Sequence, residues 1–261
     1  MKTLVLAEAS QSAWNSFYSS VKQGNRFELA SVITPNSPTP IYLRQGTSDV
    51  DNFMQIFGRD EYNFLTIYPK SIVDLGGYIG LASIYLARKF PEARITLVEP
   101  DPDNFSLALL NCRAYPQIYC LKAGVWSRKC ELEVSAKVGG DWGTMVRESL
   151  IESNTALSSI PAFTVADIMN LSGFSRVDFI KIDIEGSEIE LFASDSLSLW
   201  IDRCNIVSCE LHDRMVPGCS NAFYAAFKGR PFVQGKSGEY DYFIRNPLLG
   251  IPKLKSEYIL F

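Results

Sequence analysis

The sequence predicts an α/β fold: a mostly parallel, doubly wound sheet with a C-terminal antiparallel hairpin, preceded by an N-terminal extension of helix and strand. Three observations carry that expectation. Ser71–Leu75 is a short apolar run that feeds the turn Gly76-Gly77-Tyr78-Ile79-Gly80, then a helix with Ile79, Ala82, Leu86 and Phe90 on one stripe, then the strand Arg94–Val98. Strand and helix patterns go on alternating as far as Asn205–Leu211, the rhythm of parallel strands joined by crossover helices. Pro231–Gln234 and Tyr240–Arg245 then flank Gly235–Gly238 and fit a terminal hairpin.

Each element has a local cause. Trp14, Phe17, Tyr18 and Val21 follow the i, i+3, i+4, i+7 pattern, so Ser12–Gln23 is predicted as an amphipathic helix ended by Gly24. Phe27–Thr34 fits a strand, and Pro35, Pro38 and Pro40 punctuate the chain before Ile41–Leu43. Ser48 and Asp51 have capping-box spacing ahead of a helix whose apolar face is Phe53, Ile56 and Phe57. That box accounts for Ser48 and Asp51 but leaves Arg44, Gln55 and Tyr62 without a structural reason. Pro91 stops the helix after the glycine turn, and Pro102 stands early in the next, which carries Phe105, Ala108, Leu109 and Cys112. Ile118–Lys122 is the third strand and is expected to continue through Ala123-Gly124-Val125-Trp126. Glu131–Lys137 alternates like a strand, with Gly139-Gly140 suggesting a hairpin to Trp142–Arg147. Glu148–Pro161 reads as a polar surface excursion and Ala166–Leu171 as a short helix. Val177–Ile184 is the most β-prone run, and Pro217-Gly218 breaks the chain before a helix bearing Phe223, Ala226 and Phe227.

Composition excludes several functions. A chain of 261 residues with 47% hydrophobic content can bury one large core. A net charge of −4, with no Lys/Arg run longer than two, speaks against a nucleic-acid groove or a polybasic membrane anchor. No stretch approaches the roughly 18 apolar residues of a membrane span, and Thr3–Ala7 is too short for a signal sequence. A cytoplasmic protein without a transmembrane segment is therefore expected. The six cysteines form no C-x-x-C pair and read as core residues in a reducing compartment. His212 is the single histidine, which rules out a multi-histidine metal centre. The sequence is silent on oligomeric state.

A strand that feeds a glycine turn into a helix N-terminus is how α/β folds hold a nucleotide. The dinucleotide fingerprint asks for a second glycine where Tyr78 stands, so a dinucleotide fits badly. Asp74-x-Gly76-x-x-x-Gly80, with Glu99 ending the next strand, instead resembles the S-adenosylmethionine site of class I methyltransferases. That cofactor has no phosphate, an acid at the turn suits its ammonium group, and an acid ending the second strand can bind both ribose hydroxyls. A second group of polar residues lies near two later strand ends. Lys181, Asp183 and Glu185 share one side of their strand by period two, as do Glu210 and His212. Parallel sheets are buried on both faces, so charges there point to a ligand just beyond the strand ends. The structural reading is an ion pair for Lys181 and helix-start acids for Glu185 and Glu188.

Several segments together are similar to FkbM-type methyltransferases: Ile41–Asp49 with Gln55-Ile56-Phe57, Val73–Gly76, Val98-Glu99-Pro100, Ile180–Gly186 and Glu210-Leu211-His212. The resemblance runs in one order from about residue 41 to residue 213. It implies a class I, Rossmann-like methyltransferase fold, with residues 1–66 as an N-terminal extension and lid and residues 67–261 as one S-adenosylmethionine-binding catalytic unit. It implies an O-methyltransferase acting on an alcohol hydroxyl of a sugar, natural product or glycoconjugate, its acceptor a small molecule, glycan or glycolipid. Cofactor roles are implied for Asp74, Gly76, Gly80 and Glu99, with Gly77, Tyr78 and Pro100 in the same turns. Asp183 would lie near the methionine end, Gln55 and Tyr62 in the lid, and Ala123 and Val125 beside the adenine by strand order. The family's turn usually reads Gly-Ala-Asn, so here Tyr78 must replace what the Asn contributes to loop shape.

An alcohol needs a base. His212 is the one side chain whose ordinary pKa, about 6.5, lies near working pH, and it follows a strand end. It is the expected general base, its tautomer held by Glu210 or Asp213, with Asp183 as the fallback. Asp183, Glu185, Glu210 and Asp213 offer oxygen ligands that would suit Mg²⁺, but cofactor contacts and helix caps explain them equally, so no metal is expected. The competing class is a methyltransferase-like protein that binds the cofactor or a partner without turnover. A nicotinamide oxidoreductase ranks third.

Overall fold

Period-two alternation along the central strands decides the layers of the molecule. Ile72, Ile95, Phe179 and Ile206 enter one apolar cluster, while Val73, Val98, Ile180 and Val207, an odd number of residues along the same strands, enter another on the opposite face. The computed structural model describes residues 2–5, 10–25, 28–34, 39–134, 146–148 and 159–246. Its N-terminal part holds β1 (Lys2–Val5), α1 (Gln11–Lys22), β2 (Leu29–Ile33), β3 (Ile41–Arg44) and α2 (Asp49–Phe53), the last continuing as a π-helical turn through Gly58. There follow β4 (Ser71–Leu75), α3 (Leu81–Lys89), β5 (Arg94–Glu99), α4 (Pro102–Cys112), β6 (Ile118–Lys122), β7 (Gly124–Val125), β8 (Cys130–Val134), β9 (Val146–Glu148) and β10 (Ser159–Phe163). The chain then runs through α5 (Val165–Leu171), β11 (Val177–Ile182), α6 (Glu188–Phe192), β12 (Cys204–Glu210), α7 (Cys219–Phe227), β13 (Phe232–Ser237) and β14 (Tyr240–Arg245).

The main sheet has the order β13-β14-β12-β11-β4-β5-β6. Strands β12, β11, β4, β5 and β6 are parallel, and the hairpin β13–β14 joins antiparallel against β12. From β4 the chain winds outward to β6, then returns to β11 on the other side. The order therefore reverses between β4 and β11, where α/β sheets bind ligands. Helices α3 and α4 cover one face, and α5, α6 and α7 the other. Capping follows the sequence: the Asp101 carboxylate accepts from Asp103 and Asn104 N–H with Pro102 at the first helical position, and Thr164 with Asp167 forms a capping box on α5.

The N-terminal part packs into the same core as the sheet, since Phe17, Val50 and Phe53 share a cluster with Ile72 and Ile95. Its three strands form a separate sheet, β1-β2-β3. A side chain ties it down as well: Asn111 on α4 accepts from Tyr42 N–H at 2.8 Å and donates to the Tyr42 carbonyl at 3.1 Å.

Three expectations change. Ser48 and Asp51 form no capping box; the Ser48 hydroxyl bonds Tyr78 Oη, while Asp51 accepts from Tyr18 and Lys22. The third strand stops at Lys122, because Gly124–Val125 leaves the main sheet to pair with β10 in a smaller sheet of order β7-β10-β8-β9. Part of the supposed polar excursion is that strand, Ser159–Phe163; Pro161 is tolerated because only Ala162 and Phe163 pair with β7. The Gly139-Gly140 turn and Trp142 lie outside the described residues. Among the described residues no two cysteines form a disulfide. Among the described residues no helix is long and apolar enough to cross a membrane.

Candidate active site

A cleft opens at the switch point, walled by the turn after β4, the ends of β5, β11 and β12, the hairpin residues Glu239 and Tyr240, and Asp51, Asn52 and Gln55 from the N-terminal part. The turn after β4 is shaped by a close approach. Gly76 has φ +77°, and a Cβ there would overlap the Asp183 carbonyl oxygen, so β4 and β11 can end side by side only with glycine between them. Tyr78 is also left-handed, at φ 51°. Its N–H donates to Glu99 Oε2 at 2.8 Å, and its hydroxyl donates to Asp49 Oδ1 at 2.5 Å. Asp49 in turn takes a bidentate pair from Arg44 at 2.8 and 2.9 Å, and Arg44 donates to Asn104 Oδ1 at 2.9 Å. This network gives Arg44 its reason: it anchors the N-terminal part to the glycine turn.

Glu99 is held from both sides. Oε1 accepts from Asp101 N–H at 2.9 Å and Oε2 from Tyr78, while the carboxylate lines the cleft beside Pro100 and Val98. Burial pushes its pKa up to about 8, against the pull of those two N–H groups. Val125 reaches the same wall, whereas Ala123 is buried behind it.

Asp74 is not a cleft residue. It is fully buried, accepts from Ser83 at 2.7 Å, and stands 3.2 Å from Lys181 Nζ. Lys181, 3% exposed, also donates to the Gly76 carbonyl at 2.9 Å and lies 3.3 Å from Asp183 Oδ2. Burial would strip its proton, but the Asp74 and Asp183 charges hold it and raise its pKa. Lys181 thus forms the ion pair of its structural reading, and its own ammonium takes up Asp74, the acid expected to face the cofactor's. Gly77 and Gly80 also serve the backbone: Gly77 packs on Leu97, and Gly80 sits at φ +87° at the start of α3.

Asp183, Glu185, Glu210 and His212 come together at the other end of the cleft. His212 Nε2 lies 3.5 Å from Glu185 Oε2, 3.6 Å from Glu210 Oε1 and 3.8 Å from Asp183 Oδ1. Its Nδ1 is 2.7 Å from Glu188 Oε1. Burial lowers the imidazole pKa, but the hydrogen bond to Glu188, the contact with Glu210 and the surrounding charges outweigh it and lift the value to about 11. Burial and the Asp183 charge push Glu185 up to about 7, and Glu210 is raised for the same reasons.

The expectation that His212 is the general base changes here. The residue is 1% exposed, Nδ1 is tied to Glu188, and Nε2 faces Asp183, Glu185 and Glu210, whose charges favour the protonated ring over a free base. Glu188, read as a helix-start acid, does open α6 but is fully buried and also accepts from Cys219 Sγ at 3.2 Å. Asp213 points elsewhere, accepting from Gly218 and Ser220 N–H at the start of α7. Gln55 does line the cleft, donating to Glu61 at 2.5 Å and Glu239 at 2.8 Å. Tyr62 does not: it is 0% exposed, packed on Phe179 and Tyr240 in the core. Glu239, Arg214 and Asn52 also line the cleft, and sequence does not single them out, because nothing local distinguishes a loop polar residue that a distant strand end brings into a cleft.

Five parallel strands whose order reverses between β4 and β11, closed by an antiparallel hairpin against β12, are the arrangement expected of a class I methyltransferase. The model for the FkbM methyltransferase domain matches residues 74–228. The chain belongs to the FkbM methyltransferase family. Among curated proteins it is similar to Methyltransferase 1 of Beauveria bassiana (strain ARSEF 2860), 25% identical over 161 residues, 53% of this chain and 64% of that one. It is also similar to Methyltransferase sdnD of Sordaria araneosa, 24% identical over 159 residues, 49% and 61% of the two chains. The chain spans less than two thirds of the length of either relative. Similar solved structures include an O-methyltransferase from Bacillus cereus in complex with SAH, with TM-score 0.39 at 12% identity over 74% of this chain and 79% of that one. Another is the precorrin-6y C5,15-methyltransferase of Geobacter metallireducens GS-15, with TM-score 0.36 at 11% identity, covering 67% and 77%.

Proposed function

We propose that the cleft binds S-adenosylmethionine and that the protein transfers its methyl group to an alcohol hydroxyl of a small-molecule, glycan or glycolipid acceptor. The observation that carries this reading is the pairing of Gly76 with Asp183 at the strand-order reversal, with a backbone-held carboxylate, Glu99, at the end of the next strand. The residues fit such a ligand. Glu99 can accept from a ribose diol; Val98, Pro100 and Val125 offer an apolar wall for an adenine ring; Asp183 and Glu185 supply negative charge where an amino-acid ammonium would lie.

When bound, S-adenosylmethionine supplies an electrophilic methyl group on a sulfonium. The chain's task is alignment, which can account for much of such a reaction's rate. Gln55, Asp51 and Asn52 wall the cleft from the N-terminal side in the manner of a lid, and Tyr240 and Glu239 close it from the hairpin. Asp183 and Glu210 are the cleft carboxylates placed to accept the acceptor's proton. His212 positions them and faces no acceptor directly.

Calorimetry with S-adenosylmethionine and S-adenosylhomocysteine tests cofactor binding. Transfer of an isotopically labelled methyl group to a panel of sugars and polyols tests turnover. Binding of neither compound would overturn the reading; binding without transfer to any acceptor would leave a cofactor-binding protein.

A further inference from the structure

We infer that Arg214 selects an acceptor carrying an acidic group, a carboxylate or a phosphate, and turns that acceptor's hydroxyl toward the inside of the cleft. The inference rests on the methyl-transfer reading and names the acceptor's chemical class. Arg214 is exposed and lines the cleft. Among the described residues it is the one charged side chain of the cleft wall with no hydrogen bond or ion pair. Every acid around it is engaged. Asp51 accepts from Tyr18 at 2.8 Å and pairs with Lys22, and Glu99 takes the N–H groups of Tyr78 and Asp101. Asp183 lies 3.3 Å from Lys181, and Glu185 and Glu210 lie 3.5 and 3.6 Å from His212. Glu239 accepts from Gln55 at 2.8 Å. The ionic group left without a counterpart is a guanidinium, and its counterpart is an anion.

The base of this side chain is held on both sides. The His212 carbonyl accepts from Met215 and Val216 N–H, each at 2.9 Å. The Asp213 carboxylate accepts from Gly218 and Ser220 N–H, each at 3.0 Å. The His212 ring is buried against Glu188. Arg214 thus stands on a closed turn of set geometry, with only its own side chain free to move. A planar fork of N–H donors matches the paired oxygens of a carboxylate or a phosphate.

Sheet order decides which ligand meets it. Across the cleft the strand ends run β5, β4, β11, β12. Glu99, Gly76 and Asp183, the cofactor residues of the methyl-transfer reading, stand at the first three ends, and Arg214 follows the fourth. It therefore lies away from the ribose end, past Glu210, on the side left to the acceptor. The acids lining the rest of the cleft repel an anion, so an acidic acceptor is held at Arg214 and presents its neutral, hydroxyl-bearing part to Asp183 and Glu210. A single cation among acids fixes the acceptor's orientation as well as its class.

The test is transfer of a labelled methyl group from S-adenosylmethionine to two matched sets of alcohols. One set is D-glucose, D-glucuronate and D-glucose 6-phosphate; the other is glycerol, D-glycerate and glycerol 3-phosphate. Wild type should favour an acidic member over the neutral one by at least about tenfold in kcat/KM, the factor for a hydrogen bond to a charged group. The favoured member separates carboxylate from phosphate. Arg214→Gln should remove the preference, mainly through KM, and Arg214→Lys, which keeps the charge without the fork, should retain part of it. Calorimetry on the same variants with S-adenosylhomocysteine, and with 5′-methylthioadenosine, which lacks the amino-acid part, should match wild type. A wild type that favours neutral members or neither, or a preference that survives in Arg214→Gln, overturns the inference. So does a loss of S-adenosylhomocysteine affinity in Arg214→Gln with 5′-methylthioadenosine binding unchanged, which would give Arg214 to the cofactor's own carboxylate. S-adenosylhomocysteine binding without transfer to any of these alcohols overturns the inference and leaves the cofactor reading standing. No S-adenosylhomocysteine binding removes that reading and the inference with it.

Discussion

Two acid-bearing strand ends border one cleft and are built by opposite rules. At the end of β5, Glu99 has each oxygen matched to a backbone N–H, and Asp101 beside it caps a helix. At the ends of β11 and β12, Asp183, Glu185 and Glu210 are set around a single nitrogen, and burial with mutual repulsion raises the proton affinity of Glu185 and Glu210. A carboxylate satisfied by fixed donors is a positioned acceptor for neutral hydroxyls. Carboxylates that crowd one another are placed for positive charge. The two ends of the cleft are thus specialised before any ligand enters.

The contrast is broken most completely at Gly76, where the two ends touch. Gly76→Ala should drive a methyl group into the Asp183 carbonyl and cost more than about 4 kcal/mol, in the range reserved for severe clashes or lost buried networks. Urea denaturation with a wild-type midpoint would show that the two turns do not constrain each other. Next in size, Lys181→Met leaves Asp74 buried without its cation and should cost about 3–5 kcal/mol. Adding Asp74→Asn to that variant should recover part of the loss in thermal melts; no recovery would mean that Lys181 acts mainly through Gly76 and Asp183. Glu99→Gln sharpens the other side of the comparison. Measured above pH 8, where the carboxyl is ionised, it removes a charged acceptor and should weaken S-adenosylhomocysteine binding by about 1.5–3 kcal/mol. Equal affinities in calorimetry would remove Glu99 from the ribose site. The smallest effect is expected from Tyr78→Phe, about 1–2 kcal/mol of stability, since Asp49 keeps its Arg44 partner. A cost near zero would show that the N-terminal part is held without that hydroxyl.

What the sequence makes legible divides along similar lines. The parallel strands are legible because buried strands are apolar runs bounded by glycine and proline, as in Ser71–Leu75 and Val177–Ile182. The terminal hairpin is legible from its glycines, although β13 runs on to Ser237. The pairing of His212 with Glu188 is not, since they lie 24 residues apart and an acid opening a helix already has a local explanation. Ser48 and Asp51 mislead for the same reason. Their spacing fits a cap, but Tyr78 and Lys22 hold them instead. The family resemblance implies a lid role for Tyr62, and only packing shows it in the core. Local patterns locate strands and turns; which polar groups meet depends on sheet order, which no single segment contains.

The left-handed backbone of Tyr78 has a consequence for how such a chain can change over generations. An asparagine tolerates that conformation with little help, whereas a tyrosine is seldom found there. Here Asp49 and Ser48 grip the hydroxyl and make up the difference. Changes at positions 49 and 78 are therefore not independent, and their order matters. A lineage that gains the tyrosine before the aspartate passes through a strained, unanchored turn; one that gains the aspartate first does not. Once both are present, each guards the other against loss.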